Sequence, residues 1–141
     1  MIHVATEPRI HWLVPDDRHF DRHHQWIQPR ETLWAVGVTD YTQDTAGDIL
    51  YVALPAPGTR LEEGRPFGSI ESGKWVGQLY APFNGIVIAS NEPLIESPHL
   101  LNQDPYGQWL ILASPDPDAP LPPWLSADEY RQQLALLEES R

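Results

Sequence analysis

Lys74 is the only lysine in a chain of 141 residues, and it follows Ser72-Gly73, a pair that interrupts two strand-like runs at 67–71 and 75–80. A lysine on a rigid turn is exposed, and a separate enzyme can acylate its amine there. Amide formation removes that charge and makes the chain one unit more negative than its formal net charge of −11. An ordinary solvated lysine is the competing reading of the turn taken alone. Ser72 beside Lys74 also invites a Ser–Lys hydrolase reading, but a turn serine without an oxyanion pocket gives that chemistry little support. His19, His23 and His24 lie among Asp17, Asp21 and Arg22. His19 and His23 have the i,i+4 spacing that would bring two metal ligands together on a helix. Pro15 shortly before the run speaks against that, and solvated side chains or a place beside Gln25 is the preferred reading.

Composition narrows the function classes. Eight arginines and one lysine stand against twenty acidic residues, so nothing drives the counterion release on which nucleic-acid binding depends. The acidity suits steering toward basic partner surfaces. The chain has no cysteine, which excludes disulfides, thiolate metal sites and cysteine nucleophiles. No G-x-S-x-G, phosphate-binding glycine loop or HExxH occurs. No apolar run approaches the length of a membrane span, and no signal peptide pattern opens the sequence. The expectation is a cytoplasmic protein with no nucleic-acid or membrane partner.

The elements that must position Lys74 read as short strands. Alternating, β-branched or aromatic stretches at 32–38, 48–54, 67–71, 75–80, 85–89 and 109–112 fit strands, and 12–14 and 26–27 are further short candidates. Pro57-Gly58, Glu62-Glu63-Gly64 and Pro82-Phe83-Asn84-Gly85 mark turns. A short helix is expected within 91–107, with Ser97 as its cap and Pro98 in its first position. Residues 114–123 form a proline-rich linker. Ser126 and Glu129 make a capping box, with Leu125 placed to staple onto Tyr130. Tyr130, Leu134 and Leu137 give that helix a narrow apolar face. Even spacing of short strands predicts a mainly β sandwich or flattened barrel. Three parts are expected: an N-terminal extension at 1–30 packing on the core, a β domain at 31–113, and a linker with C-terminal helix at 114–141.

From Val36 to Leu112 the chain resembles the H-protein family of lipoyl carriers, known from the glycine cleavage system. An ordered series carries the resemblance. It runs Val36-Gly37-Val38-Thr39-Asp40-Tyr41, Gln43-Asp44, Gly47-Asp48-Ile49, Pro57-Gly58-Thr59, Phe67-Gly68-Ser69 and Glu71-Ser72 with Lys74. It continues through Pro82 with Gly85, Asn91-Glu92, Leu101-Asn102, Asp104-Pro105-Tyr106-Gly107 and Trp109-Leu110. His24-Gln25-Trp26 stands where the family has His-Glu-Trp. The resemblance implies a barrel-sandwich hybrid of the lipoyl/biotinyl type, with lipoate amide-linked to Lys74. The expected role is that of a non-catalytic carrier with a swinging arm. It also implies that a lipoate ligase or lipoate-assembly system reads Glu71 and Gly58, three and sixteen residues before the lysine. The family places no metal at the histidines. Biotin carriers flank their lysine with methionines, whereas the only methionine here is Met1. Acyltransferase lipoyl domains show Asp-Lys-Ala, also absent. Reactive sulfurs would come from the cofactor and positioning from the protein; a cysteine-free chain has no thiol to exchange with the lipoyl disulfide.

Departures from the family pattern bear on the cargo. The family's Glu before Trp26 is Gln25, its Asp four residues after the lysine is Gln78, and a His found in some members is Thr45. Carboxylates hold an ammonium through charge-assisted bonds, so their replacement weakens the case for a cationic aminomethyl cargo. Gly73-Lys74-Trp75 replaces the usual Val-Lys-Ala, and Trp75 adds apolar surface near the arm. These departures look like the lipoate-binding proteins of the heterodisulfide-reductase-like sulfur-oxidation pathway. That resemblance implies a shuttle in sulfur oxidation with a heterodisulfide-reductase-like complex, and it is the preferred expectation. The alternatives are a glycine cleavage carrier of the aminomethyl group, working with the glycine cleavage enzymes, and an unmodified barrel domain acting in protein binding. Gln25, Thr45, Gln78 and Trp75 are the expected lining of an arm cleft.

Overall fold

A computed structural model describes residues 10–140 of the chain. Among the described residues nine strands form two sheets. The larger holds, in spatial order, β1 (His19–Phe20), β2 (Gln25–Arg30), β3 (Leu33–Val38), β9 (Ile111–Pro115), β8 (Gly85–Ser90) and β5 (Arg60–Leu61). The smaller holds β4 (Ile49–Ala53), β6 (Pro66–Ser72) and β7 (Val76–Tyr80), with β6 central. All pairings are antiparallel. The two sheets enclose the core of a barrel-sandwich hybrid, the lipoyl-type fold.

Period-two alternation explains which residues are inside. In the small sheet, Val52, Ile70 and Gly77 align across the three strands and are buried, while Tyr51, Glu71 and Val76 align in the next row on the outer face. Val52, Ile70 and Leu79 meet Val38, Leu94, Leu101 and Leu110 in one cluster, and Ile27, Val36, Phe83, Val87 and Ile111 form a second. β2 and β3 are covered on both faces. Ile27 and Val36 point into the sandwich, whereas Trp26 and Ala35 point outward into a third cluster with Phe20, Tyr130 and Leu134. Trp26 lies flat on Gly37, where a Cβ would come within 2.3 Å of its ring.

The helices differ in part from the sequence reading. α4 (Ala127–Glu139) begins as expected: Glu129 N–H donates to Ser126 Oγ at 3.1 Å and Ser126 N–H to Glu129 Oε1 at 2.8 Å. Tyr130 and Leu134 are fully buried, with Leu137 packed beside them. The 91–107 stretch, however, holds two short helices, α2 (Pro93–Glu96) and α3 (Leu100–Gln103). Ser97 closes the first rather than opening the second, because its N–H donates back to Pro93 O, and no side chain caps α3. A further helix, α1 (Asp40–Ala46), was not expected; Thr39 Oγ1 accepts from Thr42 N–H at its start, and Gly47 ends it at φ +80°. Residues 12–14 form no strand. Trp12 and Val14 pack instead on the α4 cluster as irregular chain. Among the described residues no helix is long and apolar enough to cross a membrane.

Candidate functional site

Lys74 sits at the tip of the β6–β7 hairpin. Ser72 N–H donates to Trp75 O at 2.8 Å and closes the turn, and Lys74 N–H donates to Ser72 Oγ at 3.4 Å. Ser72 is 7% exposed and committed to this turn, so its hydroxyl is a strut and not a nucleophile. Gly73, Lys74, Trp75 and Val76 are all exposed. The lysine stem reclines on the end of α1: a Cβ placed on Gly47 would lie 3.2 Å from Lys74 Cε. Asn102 of α3 fixes that end, donating to Gly47 O at 2.8 Å and accepting from Ile49 N–H at 2.9 Å.

Beside the tip a cleft of about 370 Å³ opens between β7, α1 and the β1–β2 turn. It falls at the small end of small-molecule clefts, which run from about 300 to 1,000 Å³. Gln25, Thr45, Gln78 and Trp75 all border it, so the four expected lining residues come from three separate elements to one place. Lys74 borders an adjoining depression, which shares Tyr41 and Thr45 with the cleft. Among the described residues that line the cleft there is no Asp, Glu, Lys or Arg. Glu71 lies half-buried on the outer face, next to the hairpin. Gly58 stands apart in the loop before β5, where φ +92° favours glycine and its N–H donates to Val87 O at 2.7 Å.

Two of the lining residues act differently from the sequence expectation. Gln25 is 1% exposed and its amide is fully engaged. Nε2 donates to Asp21 Oδ2 at 2.9 Å and to Tyr80 O at 2.7 Å, while Oε1 accepts from Tyr80 N–H at 2.8 Å. It therefore ties the β1–β2 turn to the end of β7. A glutamate there would lose both donors and set a second carboxylate against Asp21. The amide at position 25 thus answers to Asp21, and it says little about cargo. Thr45 Oγ1 is likewise turned to its own helix, donating to Tyr41 O at 2.8 Å.

The histidines are distributed by the turn and not gathered on a helix. His19 lies on β1, and His23 stacks on Tyr80 with ring centres 4.2 Å apart. His24 adopts φ +59°, stacks on Tyr41 at 4.2 Å, and its Nδ1 meets Tyr130 Oη at 2.8 Å. Burial, and then the neighbouring His23, push its pKa down to about 4, which keeps the ring neutral near pH 7. Burial raises the Asp21 pKa, against the opposing effect of the N–H groups of Gln25 and His23. Sequence reasoning missed Tyr41 and Gly77 as part of the cleft. Gly77 has a local signal, a glycine two residues after a tryptophan in a strand pattern; Tyr41 depends on the unrecognised α1.

Comparison with known proteins gives a consistent result. A profile described as "Glycine cleavage H-protein" matches residues 18–136. A protein described as a probable glycine cleavage system H protein from Natronomonas pharaonis is 46% identical over 123 residues, covering 86% of this chain and 97% of that one. A glycine cleavage system H protein from Carboxydothermus hydrogenoformans is 41% identical over 128 residues, covering 90% of this chain and 96% of that one. The crystal structure of a glycine cleavage system H protein from Mycobacterium marinum superposes with a TM-score of 0.78 at 32% identity, over 85% of this chain and 98% of that one.

Proposed function

Since the chain belongs to the glycine cleavage H-protein family, whose members are lipoyl carriers rather than enzymes, we propose that it carries the aminomethyl group for the glycine cleavage enzymes on a lipoyl arm joined to Lys74. Lipoate in this family is held covalently on a lysine, and this chain has one lysine. That single side-chain amine, exposed on a closed hairpin tip beside a cleft of suitable size, is the observation that carries the proposal. The group itself would supply the redox-active dithiolane. The chain supplies the rest: the turn bonds of Ser72 present the lysine, Gly47 leaves room for its stem, and α1 and β7 wall the cleft. Glu71, beside the tip, is the proposed contact for the lipoate ligase or lipoate-assembly enzymes. Gly58 reads here first as a turn residue demanded by its φ.

The expectation of a sulfur cargo rests on the resemblance, on the substituted positions Gln25, Gln78 and Thr45, and on the Gly73-Lys74-Trp75 turn. Gln25 drops out of that argument because its amide is a structural strut, and the relatives described above are glycine cleavage proteins. A carrier for a heterodisulfide-reductase-like complex stays as a second reading for one reason, the cleft lining without a carboxylate. Lipoylated protein offered to glycine decarboxylase with glycine tests the choice. Rapid aminomethylation is expected; failure to be aminomethylated by an enzyme that loads a control H protein would favour the second reading.

A further inference from the structure

Trp75 is seated in a notch that only a glycine leaves open. A Cβ built on Gly77 would fall 1.9 Å from Trp75 Cη2 and 2.1 Å from Cζ2, so the indole occupies the space where a side chain at 77 would stand. Residues two apart on a strand share a face, and Gly77 pairs with the buried Ile70, so this is the inner face, toward the cleft. Trp75 as a residue is still 41% exposed. Its indole rests on the bare backbone of Gly77, and the residue borders the cleft. Tyr41 and Tyr80, the other large rings there, are already stacked on His24 and His23. Among the described residues no aromatic ring stacks on Trp75, which leaves it the open apolar wall next to the lysine.

The geometry points to Trp75 as a positioning residue: seated on Gly77, its indole is the wall against which the sulfur-bearing end of a Lys74-linked arm rests, shielding the thiols from outside reagents. This rests on the reading that Lys74 carries lipoate. The physical reason is twofold. The arm is a hydrocarbon stem with a sulfur ring and gains by leaving water, and sulfur contacts aromatic rings favourably. The flanking groups Thr45, Gln78 and His23 offer polar edges instead.

Full-length protein, lipoylated and checked by intact mass, is reduced and alkylated with a small thiol reagent in excess. Trp75→Ala is expected to speed alkylation about tenfold, the effect of losing one good apolar contact, with Trp75→Phe restoring most of the protection. Gly77→Ala should act like Trp75→Ala, since its Cβ evicts the indole from its seat. Oxidised lipoyl protein should also show quenched tryptophan emission relative to the unlipoylated form, and Trp75→Phe should abolish that difference. Wild-type alkylation rates in Trp75→Ala, with circular dichroism unchanged, would overturn the assignment. Fast alkylation in Trp75→Ala but a wild-type rate in folded Gly77→Ala would overturn the seated geometry. Absence of any lipoyl addition would overturn the reading of Lys74 instead.

Discussion

At the Lys74 hairpin, four successive residues are exposed and the turn closes on Ser72. At the Tyr130 junction, by contrast, the side chain has no exposure, stacks on Phe20 with ring centres 4.6 Å apart, and joins Thr39 and His24 through its hydroxyl at 2.9 and 2.8 Å. The hairpin tip offers an amine to other proteins with little apolar burial to restrain it, so it belongs to the low-stability end of the structure. The junction locks α4, the β1–β2 turn and the start of α1 to one another. The β1–β2 turn and α1 form the far wall of the cleft, and α4 braces them from behind through the Tyr130 hydroxyl. A carrier needs both: an accessible tip, and beside it a wall that does not move.

The largest effect that would break this contrast is at the junction. Tyr130→Ala should cost about 3–5 kcal/mol, the usual range for truncating a buried aromatic, and denaturant titration measures it. A loss below 1 kcal/mol would mean that α4 does not brace the wall. Gln25→Glu should cost about 2 kcal/mol, because it removes the Nε2 bonds to the Tyr80 carbonyl and Asp21 Oδ2 and adds a carboxylate beside Asp21. A variant as stable as wild type, and faster in aminomethylation, would restore position 25 to the cargo argument.

Acid provides the next test. The folded pKa of His24 lies below its ordinary value, at about 4 against 6.5, so the unfolded chain binds the extra proton between those values. Stability from the neutral ring is therefore present above about pH 6.5 and is lost as pH falls toward 4. For a partly exposed ring this amounts to about 1–2 kcal/mol. Asp21 runs the other way, since its raised pKa favours the folded state at low pH and loses that effect as pH rises. Comparing wild type with His24→Gln cancels Asp21. The variant should show a flatter melting temperature between pH 6.5 and 4, and equal slopes would contradict the assignment. Smallest is Ser126→Ala, expected to cost about 1 kcal/mol through loss of the α4 cap, with lipoylation of Lys74 unchanged.

What could be read from the sequence follows the same division. The hairpin, the proline and glycine turns and the α4 capping box are local, and the residues that make them are contiguous. Trp75 and Gln78 border one cleft, with Lys74 in the depression adjoining it, because all three belong to one hairpin and its following strand. α1 escaped notice although Thr39, Asp40 and Gly47 carry cap, first-turn and terminator signals, because its seven residues alternate weakly and sit next to a strand. The role of Gln25 could not be read, since its partners include Tyr80, 55 residues away. An amide facing the cleft and an amide bonded to a buried carboxylate look alike in one dimension.

The central claim is that Lys74 is the attachment point. Intact-mass and peptide-mass analysis of the full chain, co-expressed with a lipoate-attaching system and free lipoate, addresses it directly. One lipoyl addition per chain is expected, located on the peptide holding Lys74 and absent from Lys74→Arg. An unmodified chain, or an addition that persists in Lys74→Arg, would contradict it.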